Sequence, residues 1–294
     1  MTWVYLIIIA QFLLAIVTIV DKHFVTSALI GKPVVYTFYI GIMSVAAILL
    51  LPFGVVLTPT SDVLRLSLIA GVSYVFSLLF LYKSLKLSDA SDVAPALGAI
   101  SAIATLGLSV IFLNESPAGN FMYGFILLIL GTFITSYFHL TKKATLFLIV
   151  AGVLFGLSTV FLKELFNQTV FWNGFFWSRL ANILGVALLL LWPGNARAIL
   201  GNFKTSSTST KTAVVANKFI AGFAFLLILY AIKLGDVSII NALTGIQFAF
   251  LLLLTILLAK RFPKYFYETT HHHAILRKTI ATVITASGLA ILFL

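Results

Sequence analysis

Two stretches of this chain resemble each other closely: LFLYKSLKLSDAS at residues 79–91 and LILYAIKLGDVS at residues 227–238. Each closes an apolar run with Leu-Tyr and continues into Lys-Leu, Asp and Ser. Other landmarks repeat in the same order: TIVDKHF (18–24) resembles TVFLKELF (159–166), and LLLPFG (49–54) resembles LLLWPG (189–194). Repeats in a fixed order, with their polar residues matched, indicate that the chain is built from two copies of one unit.

The composition indicates that lipid surrounds this unit. Apolar residues make up 61% of the chain and charged residues 9%, whereas soluble domains have about 45–50% and about 25%. We therefore expect spanning helices, each a run of roughly 20 apolar residues. Ten runs qualify: 3–20, 33–51, 66–85, 92–113, 119–138, 144–166, 171–192, 212–232, 236–259 and 274–294. The chain has no cysteine, which excludes disulfides and thiolate metal sites.

The ten runs divide into five for each copy, and this odd number has a topological consequence. The second copy must enter the bilayer from the opposite side, so that matching loops lie on opposite faces of the membrane. The sequence thus predicts an all-α integral membrane protein with ten transmembrane helices, arranged as two inverted five-helix repeats. The first repeat covers residues 1–139 and the second covers residues 144–294.

The basic residues agree with this topology, because cytoplasmic loops collect Lys and Arg. The loops after runs 1, 3, 5, 7 and 9 and the helix ends beside them hold most of the Lys and Arg residues. The opposite loops and helix ends hold only Arg65, Lys163 and Lys233. The charges therefore predict a multi-pass protein of a cell (inner) membrane, with both termini outside the cytoplasm. The net charge of +11 then faces the cytoplasm and anionic lipid, and we expect no nucleic-acid partner.

This arrangement resembles the drug/metabolite transporter superfamily, in particular its EamA-like ten-helix members. The residues that carry the resemblance are Lys22 and Lys163 near the ends of runs 1 and 6, together with the repeated Leu-Tyr stretch. The resemblance implies a mid-membrane substrate cavity lined by helices 1, 3, 4, 6, 8 and 9. It also implies alternating access, in which the two halves exchange conformations. Many relatives have cytoplasmic termini, which disagrees with the charge distribution here.

Polar side chains at membrane depth are the candidate substrate-binding residues, because each is costly in lipid. They are Gln11, Tyr74, Ser77, Ser101, Ser158, Arg179, Asn241 and Gln247. The alternative for each serine is a hydrogen bond to its own helix, and for the glutamines it is an interhelical hydrogen bond. Arg179 either meets an anionic group in the cavity or extends toward the nearer interface.

The acidic residues narrow the class of substrate. We interpret every Asp and Glu, including Asp21, as lying at a helix end or in a loop. A proton-coupled exporter of lipophilic cations typically has a carboxylate inside the membrane. We therefore predict a secondary transporter, an exporter or exchanger, of a small neutral, zwitterionic or anionic metabolite.

The chain carries no motif that holds a cofactor, since it has no phosphate-binding loop and no Gly-rich dinucleotide turn. His271, His272 and His273 could bind a metal, but we interpret them as a solvated loop and predict no metal site. Two alternatives to a transporter are a polytopic membrane enzyme acting on a lipid-linked substrate, and a scaffold or sensor. The expected partners are a small-molecule substrate and membrane lipid. The sequence leaves a homodimer open and does not identify the substrate or a coupling ion.

Overall fold

The computed structural model describes residues 2–26, 31–88, 90–114, 119–136, 140–205, 207–261 and 284. These residues form helices and short connections without any β-strand, which confirms the all-α class. The helices are α1 Thr2–Thr26, α2 Pro33–Ile42, α3 Ser61–Leu85, α4 Ala90–Leu113, α5 Gly119–Ser136, α6 Lys142–Gln168, α7 Phe171–Leu190, α8 Pro193–Thr205, α9 Thr208–Leu234, α10 Val237–Ala242 and α11 Ile246–Arg261. A 3₁₀ segment, Met43–Phe53, continues α2, and a 3₁₀ turn, Leu243–Gly245, separates α10 from α11.

Within the described residues, seven helices are long and apolar enough to cross a membrane: Trp3–Thr26, Pro33–Phe53, Ser61–Leu85, Asp92–Leu113, Lys142–Gln168, Phe171–Leu190 and Thr208–Leu234. They make the chain a multi-pass membrane protein. The expected span 119–138 contains the shorter apolar stretch Met122–Gly131. The expected span 236–259 is interrupted at Leu243–Gly245, and 274–294 lies outside the described residues except for Ile284. Ten spans therefore remain a prediction.

Side-chain caps fix where several helices begin. The Thr60 hydroxyl accepts a hydrogen bond from the Val63 amide at 3.3 Å, and Thr141 accepts one from the Ala144 amide at 3.2 Å. Each cap satisfies an amide that has no partner inside its own helix. Gly54, with a φ of 65°, ends the 3₁₀ segment in the left-handed conformation that glycine adopts at no steric cost.

The first helix is longer than its apolar run, and this corrects the placement of Asp21. Helix α1 continues to Thr26, so Asp21 lies inside the helix and not at its end. The residue is 5% exposed. Polar residues do not end the helix here, because Asp21 and Lys22 both find hydrogen-bond partners within the protein.

Helices α3 and α6 pack in opposite directions across the boundary between the two halves. The Ser84 hydroxyl, near the end of α3, donates to the Ala144 carbonyl at the start of α6 (3.2 Å). Helix α6 also lies close to α4, since a Cβ on Gly156 would come within 2.9 Å of the Ala104 Cβ. Small residues at such contacts let helices approach closely without lipid between them.

Lys22 and Lys163 occupy matching places at two helix ends. The Lys22 ammonium donates to the carbonyls of Leu85 (2.8 Å), the last residue of α3, and Ser88 (2.5 Å), just after it. The Lys163 ammonium donates to the carbonyls of Ile232 (3.0 Å), in the last turn of α9, and Gly235 (2.8 Å), just after it. Both lysines satisfy carbonyls that a helix terminus leaves without partners.

The two lysine contacts lie at opposite ends of the helix bundle. The end of α3, which binds Lys22, is beside Ala144 at the start of α6. Lys163 lies near the other end of α6, and the helical rise between Ala144 and Lys163 is about 28 Å. That distance is close to the thickness of the hydrocarbon core of a bilayer, about 30 Å.

Candidate functional site

A cavity of about 170 Å³ lies between α1, α3, α4, α9 and α11. Helix α1 lines it with one face, because five residues at helical spacing point the same way: Gln11, Leu14, Val17, Thr18 and Asp21. The helical rise from Gln11 to Asp21 is about 15 Å. The cavity therefore extends from the middle of α1 toward the end that carries Lys22.

A buried ion pair stands at that end. The Lys218 ammonium of α9 donates to both Asp21 oxygens, at 2.6 Å (Oδ1) and 2.7 Å (Oδ2). Three neutral groups also donate to this carboxylate: Tyr36 Oη (2.5 Å) and Asn217 Nδ2 (2.7 Å) to Oδ1, and Tyr82 Oη (2.9 Å) to Oδ2. We call these five residues the Asp21 cluster. The ammonium also lies 4.8 Å from the centre of the Tyr36 ring.

The Asp21 cluster ties four helices together, α1, α2, α3 and α9. A buried ion pair is tolerable only when hydrogen bonds satisfy the oxygens as well as the charge, and Asp21 meets this condition fully. Since one acid and one base cancel, the cluster adds no net charge to the cavity.

Two glutamines line the cavity. The Gln247 amide of α11 donates to the Thr18 hydroxyl at 2.9 Å, which is the interhelical hydrogen bond expected as one alternative. Gln11 is 0% exposed, and neither its Nε2 nor its Oε1 has a hydrogen-bond partner among the residues that the structure describes.

Aromatic rings form one wall of the cavity, with Arg179 behind them. Tyr74 packs against Phe225 with ring centroids 4.9 Å apart, and against Phe155 at 6.4 Å. The Arg179 guanidinium lies 5.6 Å from the centre of the Tyr74 ring and 5.1 Å from that of Phe225. It is also 5.4 Å from the Phe175 ring. Cation–π contacts of this kind stabilise a guanidinium that has left water.

The structure brings five of the eight candidate residues to the cavity: Gln11, Tyr74, Ser77, Ser101 and Gln247. The two serines also make the expected alternative contact, because Ser77 donates to the Tyr74 carbonyl (2.8 Å) and Ser101 to the Gly98 carbonyl (3.0 Å). Whether any of them binds substrate stays a prediction.

Of the other three candidates, Ser158 and Arg179 do not line the cavity. Ser158 is buried in α6. Arg179 is 9% exposed and lies behind the aromatic wall. When the Asn182 side-chain amide is oriented so that both its nitrogen and its oxygen form hydrogen bonds, Asn182 Oδ1 accepts from Arg179 Nη1 at 3.2 Å. Asn241 belongs to α10, and its side chain is not among those described.

The Asp21 cluster is the part of the site that the sequence interpretation missed. A signal was present, since Lys218 stands inside the apolar run 212–232 and a charge there is costly unless it is paired. Asp21 could have been considered as that partner if α1 had been extended past its apolar residues. The histidines 271–273 lie outside the described residues, among which no group of three His, Cys, Asp or Glu could hold a metal.

Comparison with known families adds one match in the first part of the chain. Residues 1–137 match the EamA-like transporter family. This match indicates a transporter of the drug/metabolite kind, and it covers slightly less than half of the chain. The search of curated proteins gave no match.

The architecture also occurs in solved structures, 28 chains of which are similar to this one. One of them, described only as "Crystal structure of protein", has 16% sequence identity and a TM-score of 0.65. The similarity covers 98% of this chain and 95% of that chain. At this level of identity the likeness concerns the fold alone.

Proposed function

We propose that the whole chain is an EamA-like secondary transporter of ten helices, which exports or exchanges a small metabolite by alternating access. The observation that carries this proposal is the cavity in the bundle, which is lined by several polar side chains and bordered at one end by the Asp21 cluster. A site that serves two aqueous phases needs such a polar place within the membrane. The family match over residues 1–137 supports the same conclusion.

We also propose that the two halves are inverted repeats, with the boundary between residues 139 and 144. The matched lysine contacts support this. In the two repeated stretches Leu85 aligns with Ile232 and Ser88 with Gly235, and these are the carbonyls that Lys22 and Lys163 bind. The same contact at opposite ends of one bundle is what an inverted duplication produces.

The Asp21 cluster gives a different reason for the same proposed class of substrate. The sequence argued against a cationic substrate because no carboxylate was expected inside the membrane. Asp21 does lie inside the bundle, so that argument no longer holds. Asp21 is nevertheless saturated by Lys218 and three neutral donors. A cation would have to displace these groups, and we therefore retain a neutral, zwitterionic or anionic metabolite.

The proposed location is a cell (inner) membrane, with the Asp21 cluster on the basic, cytoplasmic side and both termini outside. On that side, opening requires separating α9 from α1, α2 and α3, because the Asp21 cluster joins them. The proposed partners are the substrate and surrounding lipid.

Counterflow in proteoliposomes tests the function. Vesicles loaded in turn with members of a metabolite panel should take up the labelled form of at least one of them. Leu14→Trp, which fills the cavity from α1, should abolish that uptake. Ile9→Trp on the same helix is the control, since Ile9 is 50% exposed toward the lipid side. Uptake that persists with Leu14→Trp would show that the substrate does not pass through this cavity.

A further inference from the structure

The Gln11 amide is the least satisfied polar group that lines the cavity. It lies on α1, is 0% exposed and lines the cavity. Both its donor Nε2 and its acceptor Oε1 lack a partner among the described residues. A buried amide without hydrogen bonds is costly, and native proteins usually provide a partner for such a group. An amide also presents a donor and an acceptor side by side, so its natural complement is a second group with an acceptor beside a donor.

The charged side chains around the cavity are either paired or separated from it by aromatic rings. A carboxylate has about four lone-pair sites, and Asp21 accepts from Lys218, Tyr36, Tyr82 and Asn217. The Nε of Arg179 has no hydrogen-bond partner among the described residues, but Arg179 is separated from the cavity by the rings of Tyr74 and Phe225, both of which line it. A charged molecule in the cavity would thus meet no uncommitted opposite charge, and it would lose its hydration without compensation.

The shape of the site favours a flat molecule. Tyr74, Phe155 and Phe225 present ring faces and edges along one wall, with Tyr74 and Phe225 centroids 4.9 Å apart. Arg179 on the far side of these rings holds Tyr74 and Phe225 in a fixed place. A cavity of about 170 Å³ is close to the size that holds benzene in another protein, roughly 150 Å³. The site therefore has room for one six-membered ring with small substituents.

We propose that the transported substrate is an uncharged six-membered ring that carries a cis-amide edge, the chemistry shared by six-membered lactams and pyrimidine nucleobases. Its ring N–H donates to Gln11 Oε1 and its carbonyl accepts from Gln11 Nε2, while its face packs against Tyr74 and Phe225. This inference rests on the proposed transport function, since it names the class of molecule that the cavity carries.

Equilibrium binding to the purified protein in detergent tests the substrate class. The probes are uracil, compared with 1,3-dimethyluracil, and 2-pyridone, compared with N-methyl-2-pyridone. Methylation of every ring N–H keeps the ring and removes the donor. We expect the unmethylated probes to bind about tenfold more tightly, because the methyl group removes one hydrogen bond and leaves Gln11 Oε1 without a partner.

Two variants assign the preference to Gln11. Gln11→Met has a similar length and no hydrogen-bonding groups, and it should reduce the tenfold preference to near one. Ser67→Ala is the matched control, since Ser67 is a buried polar group of α3 without a partner among the described residues, and it does not line the cavity. It should leave the preference intact.

Three results would overturn the inference. They are equal affinity for methylated and unmethylated probes, absence of binding by both parent rings, and an unchanged preference with Gln11→Met. Hydration of Gln11 by water alone would give the second of these results.

The counterflow experiment separates this inference from the proposed function. If a charged metabolite exchanges across the membrane while neither ring binds, the proposed transport function is supported and the proposed substrate class is wrong. If uracil binds with the expected preference but no metabolite exchanges, the proposed binding site is supported and the proposed transport function is wrong.

Discussion

Breaking the ion pair between Asp21 and Lys218 should destabilise the protein strongly, while removing both charges should not. Removing one partner of a buried pair leaves an uncompensated charge and typically costs about 3–5 kcal/mol, whereas an uncharged replacement of the pair is often neutral or stabilising. The Lys218 Nζ lies 2.6 Å from Asp21 Oδ1, and the two side chains are only 5% and 7% exposed. We therefore expect Lys218→Met and Asp21→Asn each to lower the free energy of unfolding by about 3 kcal/mol or more.

The measurement is a double-mutant cycle, with unfolding followed by circular dichroism as SDS is added to mixed micelles. The double variant should recover most of the loss, which gives a coupling energy of at least about 2 kcal/mol. The pair Asp62 and Arg65 provides the matched control. These side chains are 3.1 Å apart but 57% and 70% exposed, so their coupling should stay within about 1 kcal/mol. If the buried pair couples no more strongly than the exposed one, the reasoning about the Asp21 cluster is wrong.

Two further predictions concern topology and packing. Leu87 and Leu234 occupy matching places in the repeated stretches and are 44% and 48% exposed. Cysteines introduced there should react with a membrane-impermeant maleimide from opposite sides of the membrane, and labelling from the same side would contradict the inverted repeat. Gly71→Ala should lower the unfolding midpoint, because the new Cβ would lie 2.6 Å from the Ala181 Cβ and 2.8 Å from its backbone carbonyl carbon. Gly107→Ala should raise the midpoint slightly, since its Cβ would meet none of the described residues within 4 Å and alanine favours the helix by about 0.5–1 kcal/mol. The reverse order of midpoints would refute the packing argument.

The sequence predicts the helices of this fold better than it predicts where they end. Apolar runs of spanning length become the seven membrane-length helices of the described region, because lipid leaves a spanning backbone few alternatives to a helix. The ends differ where polar residues find partners inside the bundle. Helix α1 continues through Asp21 and Lys22 to Thr26 because the ends of other helices bind those side chains, and a single run of sequence does not contain that information.

The candidate site, like the helix ends, could be predicted only in part from the sequence. Gln11, Tyr74 and Gln247 could be selected from their depth alone, since a polar group in the middle of a span is costly wherever it points. The Asp21 cluster could not be assembled in this way, because it joins residues from α1, α2, α3 and α9 that are up to 197 positions apart. Depth along one helix can be counted from the sequence, whereas a contact between four helices depends on how they pack.

The two copies keep the same scaffold contacts but differ in the chemistry beside them. Lys22 and Lys163 bind equivalent carbonyls, yet the residue before Lys22 is Asp21 and the residue before Lys163 is Leu162. Accordingly, an ion pair with three neutral donors lies beside Lys22, while Leu162 belongs to an apolar cluster beside Lys163. If the two halves exchange conformations as proposed, one end opens by separating charges and the other by exposing hydrocarbon. These processes differ in free energy, so the two access states should be unequally populated, and neutralising both Asp21 and Lys218 should shift that population toward the state open at the Lys22 end.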